Sequence, residues 1–270
     1  MRRLWLLALA IGLQAVGLQA SGAGAAPQPD VTLWRLDCGR FANTVPISCY
    51  LVRHGHAYML WDTGLSPDLA HKGEQKVGAH TVTLDESLPE QLAQLGLKPE
   101  DIAIVAISHA HFDHVGGAAS FPHATLLIGR KDYDTVVNNP SALTSHPQDL
   151  TRGLAPWLGG GSRKDLIDGD RDVFGDGSVV MLNTPGHTAG HHSLELRLRH
   201  TGTVILAGDL WHSLDEYTNG VSTKNVVDAA QSDASVRHIK AIVAANHATI
   251  IISHEGRDIG KLPAFPNAAD

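Results

Sequence analysis

The chain has 270 residues, 43% hydrophobic and 18% charged, with 21 Lys and Arg against 28 Asp and Glu and a formal net charge of −7. That apolar content excludes a disordered chain. Two cysteines exclude a disulfide scaffold or a Cys-rich zinc module, and the acidic balance argues against a nucleic-acid partner, which needs a basic face. Histidine is in excess: there are 17, more than the 5 Phe, 4 Tyr and 5 Trp together. Histidine is the commonest metal ligand and titrates near neutrality, so the placement of these residues decides what the excess means.

Residues 1–26 read as a secretory signal. Arg2 and Arg3 form the charged start, Leu4 to Leu18 is apolar except for Gln14, and Ala23-Gly24-Ala25 supplies a cleavage site. An apolar run of about 15 residues is shorter than the roughly 20 needed to span a bilayer, so no membrane association is expected once the signal is removed. The mature chain, 27–270, is expected in the periplasm or outside the cell as one domain. Its charge is −9, from 19 basic and 28 acidic residues. In an oxidising compartment Cys38 and Cys49 form either a disulfide or a pair of small buried residues on neighbouring strands. Neither is assigned a catalytic role.

Val31–Asp37, Ile47–Val52 and Ala57–Asp62 are predicted strands, the last ending in Asp62-Thr63-Gly64. Ser87-Leu88-Pro89-Glu90 is a capping box with proline in the first turn, opening a helix from Leu88 to Leu95 that Gly96 closes. Ile102–Ile107 is a continuous apolar run, the pattern of a strand buried on both faces. A strand at Ala124–Ile128 and a helix at Lys131–Val137 follow. Further strands are predicted at Val179–Asn183, His192–Leu198 and Thr203–Ala207. A helix at Ser235–Ala245, capped by Asp233 or Ser235, precedes a last strand at Thr249–Ser253. Ser66–Leu84 and Asn138–Arg163 read as long connections. The mixture of strands and helices suggests an α/β chain with two mixed sheets packed between helices.

The central feature is Ser108-His109-Ala110-His111-Phe112-Asp113-His114-Val115-Gly116-Gly117, four metal-capable side chains in six residues directly after a buried strand. His109 and His111 point to one side of an extended segment. Asp113 and His114 come a turn later and can face a second point, so two adjacent metals suit the set better than one. The glycine pair is expected to let the chain turn tightly into the next helix. Downstream, His187, Asp209 and His254 each follow an apolar run beside small residues. A lone histidine in such a place is more often structural; the ordered set H-x-H-x-D-H, G-H, G-D, S-H is far more specific. Five imidazoles and two carboxylates suit zinc, or iron, manganese or cobalt.

From Leu33 to His254 this pattern resembles the metallo-β-lactamase-fold superfamily of metallohydrolases. The resemblance implies an αβ/βα four-layer sandwich with a dinuclear centre at the edge of its two sheets. It places His109, His111 and His187 on one metal and Asp113, His114 and His254 on the other, with Asp209 bridging. Asp62 would orient the ligand loop from behind, and His191 and His192 would hydrogen-bond around the site rather than ligate. Asp113, Asp209 and His212 are the expected catalytic residues, Asp113 helping to position the hydroxide.

Within the superfamily, Leu36–Gly39, Cys49-Tyr50-Leu51, S-H-x-H-F-D-H-x-G-G and T-P-G-H-T-x-G-H-x-S-L resemble the N-acyl-homoserine lactonases. The implied reaction is lactone opening, with a hydroxide shared by two metals attacking the ester carbonyl. The alternatives are a β-lactamase, an organophosphate or other ester hydrolase and, outside hydrolases, a mononuclear-iron persulfide dioxygenase. β-Lactamases generally lack the bridging aspartate, which Asp209 supplies here. Lactonases typically carry a tyrosine three residues after that aspartate; here the position is His212, which can still donate a hydrogen bond. Tyr217 is a second source of that donor. The expected partner is a small lactone or ester, and nothing in the sequence opposes a homo-oligomer. Phe112, Trp157, Trp211 and Tyr217 are candidate walls for an acyl pocket, with Trp157 the first choice because it lies in a long connection.

Overall fold

A computed structural model describes residues 30–144 and 147–270; the expected secretory signal lies outside the described residues. Eight strands form the first sheet: β1 (Val31–Phe41), β2 (Val45–His54), β3 (Ala57–Trp61), β4 (Gln75–Val77), β5 (His80–Thr83), β6 (Ile102–Ala106), β7 (Thr125–Gly129) and β8 (Lys164–Ile167). Their order is β4-β5-β1-β2-β3-β6-β7-β8, with β3, β6, β7 and β8 parallel. Five strands form the second: β9 (Arg171–Asp172), β10 (Val179–Asn183), β11 (His192–Leu198), β12 (Gly202–Leu206) and β13 (Thr249–Ile251). The helices are α1 (Leu88–Gln94), α2 (Phe112–Val115), α3 (Arg130–Asn138), α4 (Pro147–Gly153), α5 (Ala155–Leu158), α6 (Leu214–Asn219) and α7 (Ala229–Asn246).

Alternation along the strands builds the layers. Tyr50, Val52, Met59 and Trp61 face the second sheet and pack with Met181, Leu194, Leu196, Val204 and Ile251. Their neighbours Cys49, Leu51 and Leu60 face the other way, against Leu92, Phe121, Leu150 and Trp157 on the helical side. Beyond the second sheet, Ile205 and Ile250 pack against Val236 and Ile239 of α7. One period-two pattern thus feeds two cores at once, and the expected α/β four-layer sandwich follows. Among the described residues no helix is long and apolar enough to cross a membrane.

Several expectations are corrected. The connection Ser66–Leu84 contains β4 and β5, and Asn138–Arg163 contains α4 and α5. These elements are short and owe their form to neighbouring strands and helices, so they carry little periodicity of their own. The last helix starts six residues early: Asp228, not Asp233 or Ser235, is its cap, accepting from Gln231 N at 3.0 Å. Its first turn, Ala229-Ala230-Gln231-Ser232, is small and polar, which hid it from an apolar-pattern reading. Gly116 and Gly117 do not turn the chain through a left-handed conformation. They are needed for close approach: a Cβ would lie 2.6 Å from Ser66 N at Gly116 and 2.4 Å from Thr63 O at Gly117. Cys38 and Cys49 form a disulfide between β1 and β2.

Candidate metal centre

Every predicted ligand, and the supporting Asp62, lies beyond the C-terminal end of a strand. Asp62 follows β3, His109 to His114 follow β6, His187 follows β10, Asp209 follows β12 and His254 follows β13. Strand ends in α/β sheets open such crevices, and here the two sheets bring their ends together. All seven candidate ligands meet in two groups: His109, His111, His187 and Asp209 in one, Asp113, His114 and His254 in the other.

In the first group His109 Nε2 is 2.9 Å from His111 Nδ1 and 3.2 Å from His187 Nε2, and the last two are 3.0 Å apart. Asp209 Oδ2 closes the set at 3.7 Å from His109 and 3.6 Å from His187. In the second, Asp113 Oδ2 lies 3.5 Å from His114 Nε2 and 3.4 Å from His254 Nε2. The other Asp209 oxygen, Oδ1, is 3.3 Å from His114 and 3.2 Å from His254. Asp209 therefore turns one oxygen to each group.

The outer hydrogen bonds show that these imidazoles suit a metal. His187 Nδ1 donates to Asn225 O at 2.6 Å, His254 Nδ1 to Pro46 O at 2.9 Å and His114 Nδ1 to Asp62 Oδ2 at 2.9 Å. Ser108 Oγ donates to Asp62 Oδ2 at 2.8 Å, leaving a lone pair to accept His109 Nδ1–H at 3.0 Å. A proton fixed on the outer nitrogen leaves a lone pair on the inner one. Lone pairs crowded at 2.9 to 3.2 Å repel unless a cation sits among them. Buried His114 Nε2 and Asp209 Oδ1 also have no hydrogen-bond partner, a costly state in a protein interior that a bound cation removes. The donor set fits two divalent ions.

Charge follows the same geometry. Burial pushes His109 well down and takes His187 to about 3, so both rings are neutral. Burial also opposes charge on His254, but Asp209 and Asp113 together lift it to about 9. Asp209 resists desolvation because His254, His114 and His212 surround it, and it stays well below the usual carboxylate range.

The supporting residues are only partly those expected. Asp62 behaves as anticipated, accepting from Ser108 N and Oγ and from His114. His191 accepts the Asp209 backbone N–H at 3.0 Å, and Gly208 before it has φ +59° with no room for a Cβ, which would meet His191 Nε2 at 2.6 Å. His192 bonds the carbonyls of Gly190 and Gly169. The sequence reading missed Asp132. This fully buried carboxylate accepts from Ala110 N at 2.9 Å, Thr188 Oγ1 at 2.7 Å and Gly190 N at 2.7 Å. It ties the His109–His111 loop to the His187–His191 turn, and nothing in its local sequence, a helix first turn, signals that.

Beside the two groups lies a cavity of about 440 Å³. Phe41, Val45, Phe112 and Leu143 are its apolar lining, with His80 against both phenylalanine rings at centroid distances of 5.3 and 5.6 Å. His212 and Asn225 line it together with the ligand residues. Of the four expected aromatics only Phe112 lines it. Trp157 is fully buried in the helical-side core with Nε1 donating to Ala124 O, and Tyr217 packs edge-on against buried Trp211. A tryptophan flanked by Leu154 and Leu158 is drawn into the core by its area. Phe41 and His80 come from strand ends far apart in sequence and carried no signal.

The sequence profile of the metallo-beta-lactamase superfamily matches residues 42–254. The chain belongs to the metallo-beta-lactamase superfamily. It carries the fold and both ligand groups of a metal-dependent hydrolase. It is similar to the N-acyl homoserine lactonase AttM of Azorhizobium caulinodans, 24% identical over 245 residues that cover 83% of this chain and 86% of that protein. Among solved structures, an N-acyl homoserine lactone hydrolase with the product N-hexanoyl-L-homoserine bound at its catalytic metal centre superposes with TM-score 0.73. It is 22% identical, and the match covers 88% of this chain and 98% of that one. AidC, a dizinc quorum-quenching lactonase, superposes with TM-score 0.59 at 21% identity, covering 83% and 74% of the two chains.

Proposed function

We propose that this chain is an exported dinuclear metallohydrolase that opens a lactone ring, an N-acyl-homoserine lactone or a related one. The observation that carries the reading is Asp209, which turns one carboxylate oxygen to each of two ligand groups beside a cavity lined by both apolar and polar side chains. The lactonases among its relatives support the substrate class, and the dizinc lactonase of the same fold supports zinc. His109, His111 and His187 would hold one ion, Asp113, His114 and His254 the other, and Asp209 both. Such a pair of ions supplies a water ionised near neutral pH and Lewis-acid polarisation of an ester carbonyl.

The chain's own residues do the remaining work. Phe41, Val45, Phe112 and Leu143 take the acyl chain and exclude water from it. His212, which also lines the cavity, donates a hydrogen bond to the substrate carbonyl in the place where lactonases use tyrosine. Tyr217 is not available for that task, being packed on Trp211. Asp113 and Asp209 keep the rings around them oriented through their carboxylates. The Cys38–Cys49 disulfide suits the oxidising compartment that the N-terminal signal implies.

The test is a hydrolysis panel on the purified protein with metal content measured on the same batch: acyl-homoserine lactones, simple γ- and δ-lactones, a penicillin, a carbapenem and paraoxon. Lactone turnover with two zinc ions per chain is expected. β-Lactam turnover without lactone turnover, or one iron per chain, overturns the reading. Amino-terminal sequencing of the periplasmic fraction tests export, with a mature chain starting near residue 27 as the expected result.

A further inference from the structure

His212 has hydrogen-bond partners of a different kind from those of the ligand imidazoles. Its Nε2 lies 3.1 Å from Asp209 Oδ2 and its Nδ1 3.0 Å from Thr223 Oγ1. A carboxylate oxygen can only accept, so the Asp209 contact requires the hydrogen on Nε2. In a neutral imidazole Nδ1 is then a bare lone pair, and a hydroxyl can turn to donate to it. Thr223 is 3% exposed, and its backbone N–H donates to Leu210 O. Its main chain is therefore anchored, and the hydroxyl is placed beside the His212 ring. The His212 backbone is fixed as well, its N–H donating at 2.7 Å to Glu216, which also closes the capping box of α6.

The same connection, residues 220–228, sets the opposite tautomer on His187. There the partner of Nδ1 is the Asn225 carbonyl, which cannot donate, so the hydrogen stays on Nδ1 and the lone pair points inward. Val227 N donates to Gly186 O at 2.9 Å and fastens the connection to the turn that carries His187. One segment thus presents a carbonyl to one ring and a hydroxyl to the next. The first ring becomes a lone-pair ligand and the second an N–H donor.

We propose that Thr223 is a positioning residue: its hydroxyl donates to His212 Nδ1 and holds the ring hydrogen on Nε2, so that the imidazole presents a hydrogen-bond donor to the cavity beside Asp209. The use of that donor on a substrate carbonyl rests on the lactonase reading above; the tautomer does not.

The experiment compares wild type with Thr223→Val, which keeps the shape and removes the hydroxyl, and Thr223→Ser, which restores it. Nitrogen-15 histidine spectra of the metal-free and zinc-loaded proteins, with His212→Phe used to assign the signal, read the tautomer directly. Wild type and Thr223→Ser should show a hydrogen on Nε2 and a bare Nδ1, and Thr223→Val a mixture of the two tautomers. On the best lactone of the panel, kcat of Thr223→Val should fall roughly 3- to 10-fold, as for the loss of one hydrogen bond. KM, zinc content and melting temperature should hold, and Thr223→Ser should recover the rate. A hydrogen on Nδ1 in wild type, a spectrum unchanged in Thr223→Val, or a loss of zinc in that variant overturns the proposal. If no lactone is turned over, the lactonase reading fails while the spectra still decide the role of Thr223.

Discussion

Replacing Asp132 with alanine takes the acceptor away from three buried donors at once: Ala110 N–H, Gly190 N–H and the Thr188 hydroxyl. The hydroxyl can rotate to another acceptor; the two amides cannot. An orphaned buried donor costs about 1–3 kcal/mol, so the amides alone come to about 4 kcal/mol. Burial pushes the Asp132 carboxyl upward, which means that removing its charge returns part of that cost. The net expectation is a loss of about 3 kcal/mol. Asp132→Asn keeps the shape and one acceptor oxygen but turns an NH₂ toward one of the amides, so it should lose about half as much. Because Ala110 lies between His109 and His111, and Thr188 follows His187, both variants should also bind metal more weakly. Urea unfolding of the metal-free protein reads the first effect, and competition with a chelator reads the second. If Asp132→Ala stays within about 0.5 kcal/mol of wild type and keeps its metal affinity, the role given to Asp132 is refuted.

Three further outcomes are expected. His212→Phe should lower kcat on a lactone roughly 100-fold, the usual size for a lost carbonyl donor, with two metals still bound; wild-type turnover would remove His212 from the reaction. In the metal-free protein His254 is raised to about 9 by Asp209 and Asp113 from an ordinary 6.5. Its contribution to stability should therefore be complete below about pH 6.5 and vanish as pH rises through about 9. Thermal melts of metal-free wild type and His254→Gln across that window check this: the drop should be present in the first and missing in the second. Replacing Cys38 and Cys49 by serine opens a link of sequence separation 11, for which loop entropy gives a loss of about 3 kcal/mol. An unchanged denaturant midpoint in the double variant would mean that the bridge adds nothing.

Much of the site was legible because its ligands are concentrated. H-x-H-x-D-H packs four of them into six residues, and His187, Asp209 and His254 each stand where an apolar run stops. An apolar run that ends in a polar residue marks a strand end, and strand ends are where this architecture opens. The strands themselves were legible because each side of the first sheet meets a core, so Cys49 to Val52 and Met59 to Trp61 read as continuous apolar runs. The short strands β4, β5, β8 and β9 and the helices α4 to α6 were not. Their form comes from partners far along the chain, and too few residues repeat for a period to show.

The histidine excess was thus informative by position, and by position the sequence alone determined the fold class and the seven residues that converge. Tertiary structure decided how each is held. Which ring nitrogen carries the hydrogen depends on whether a carbonyl, a carboxylate or a hydroxyl stands behind it. For His187, His254 and His212 those partners are Asn225, Pro46 and Thr223, at sequence separations of 38, 208 and 11. The reach of Asp132 across two loops is of the same kind. Hydrogen bonds of this sort are set by where the strands end in space, a property of the packed sheets that no local spacing records.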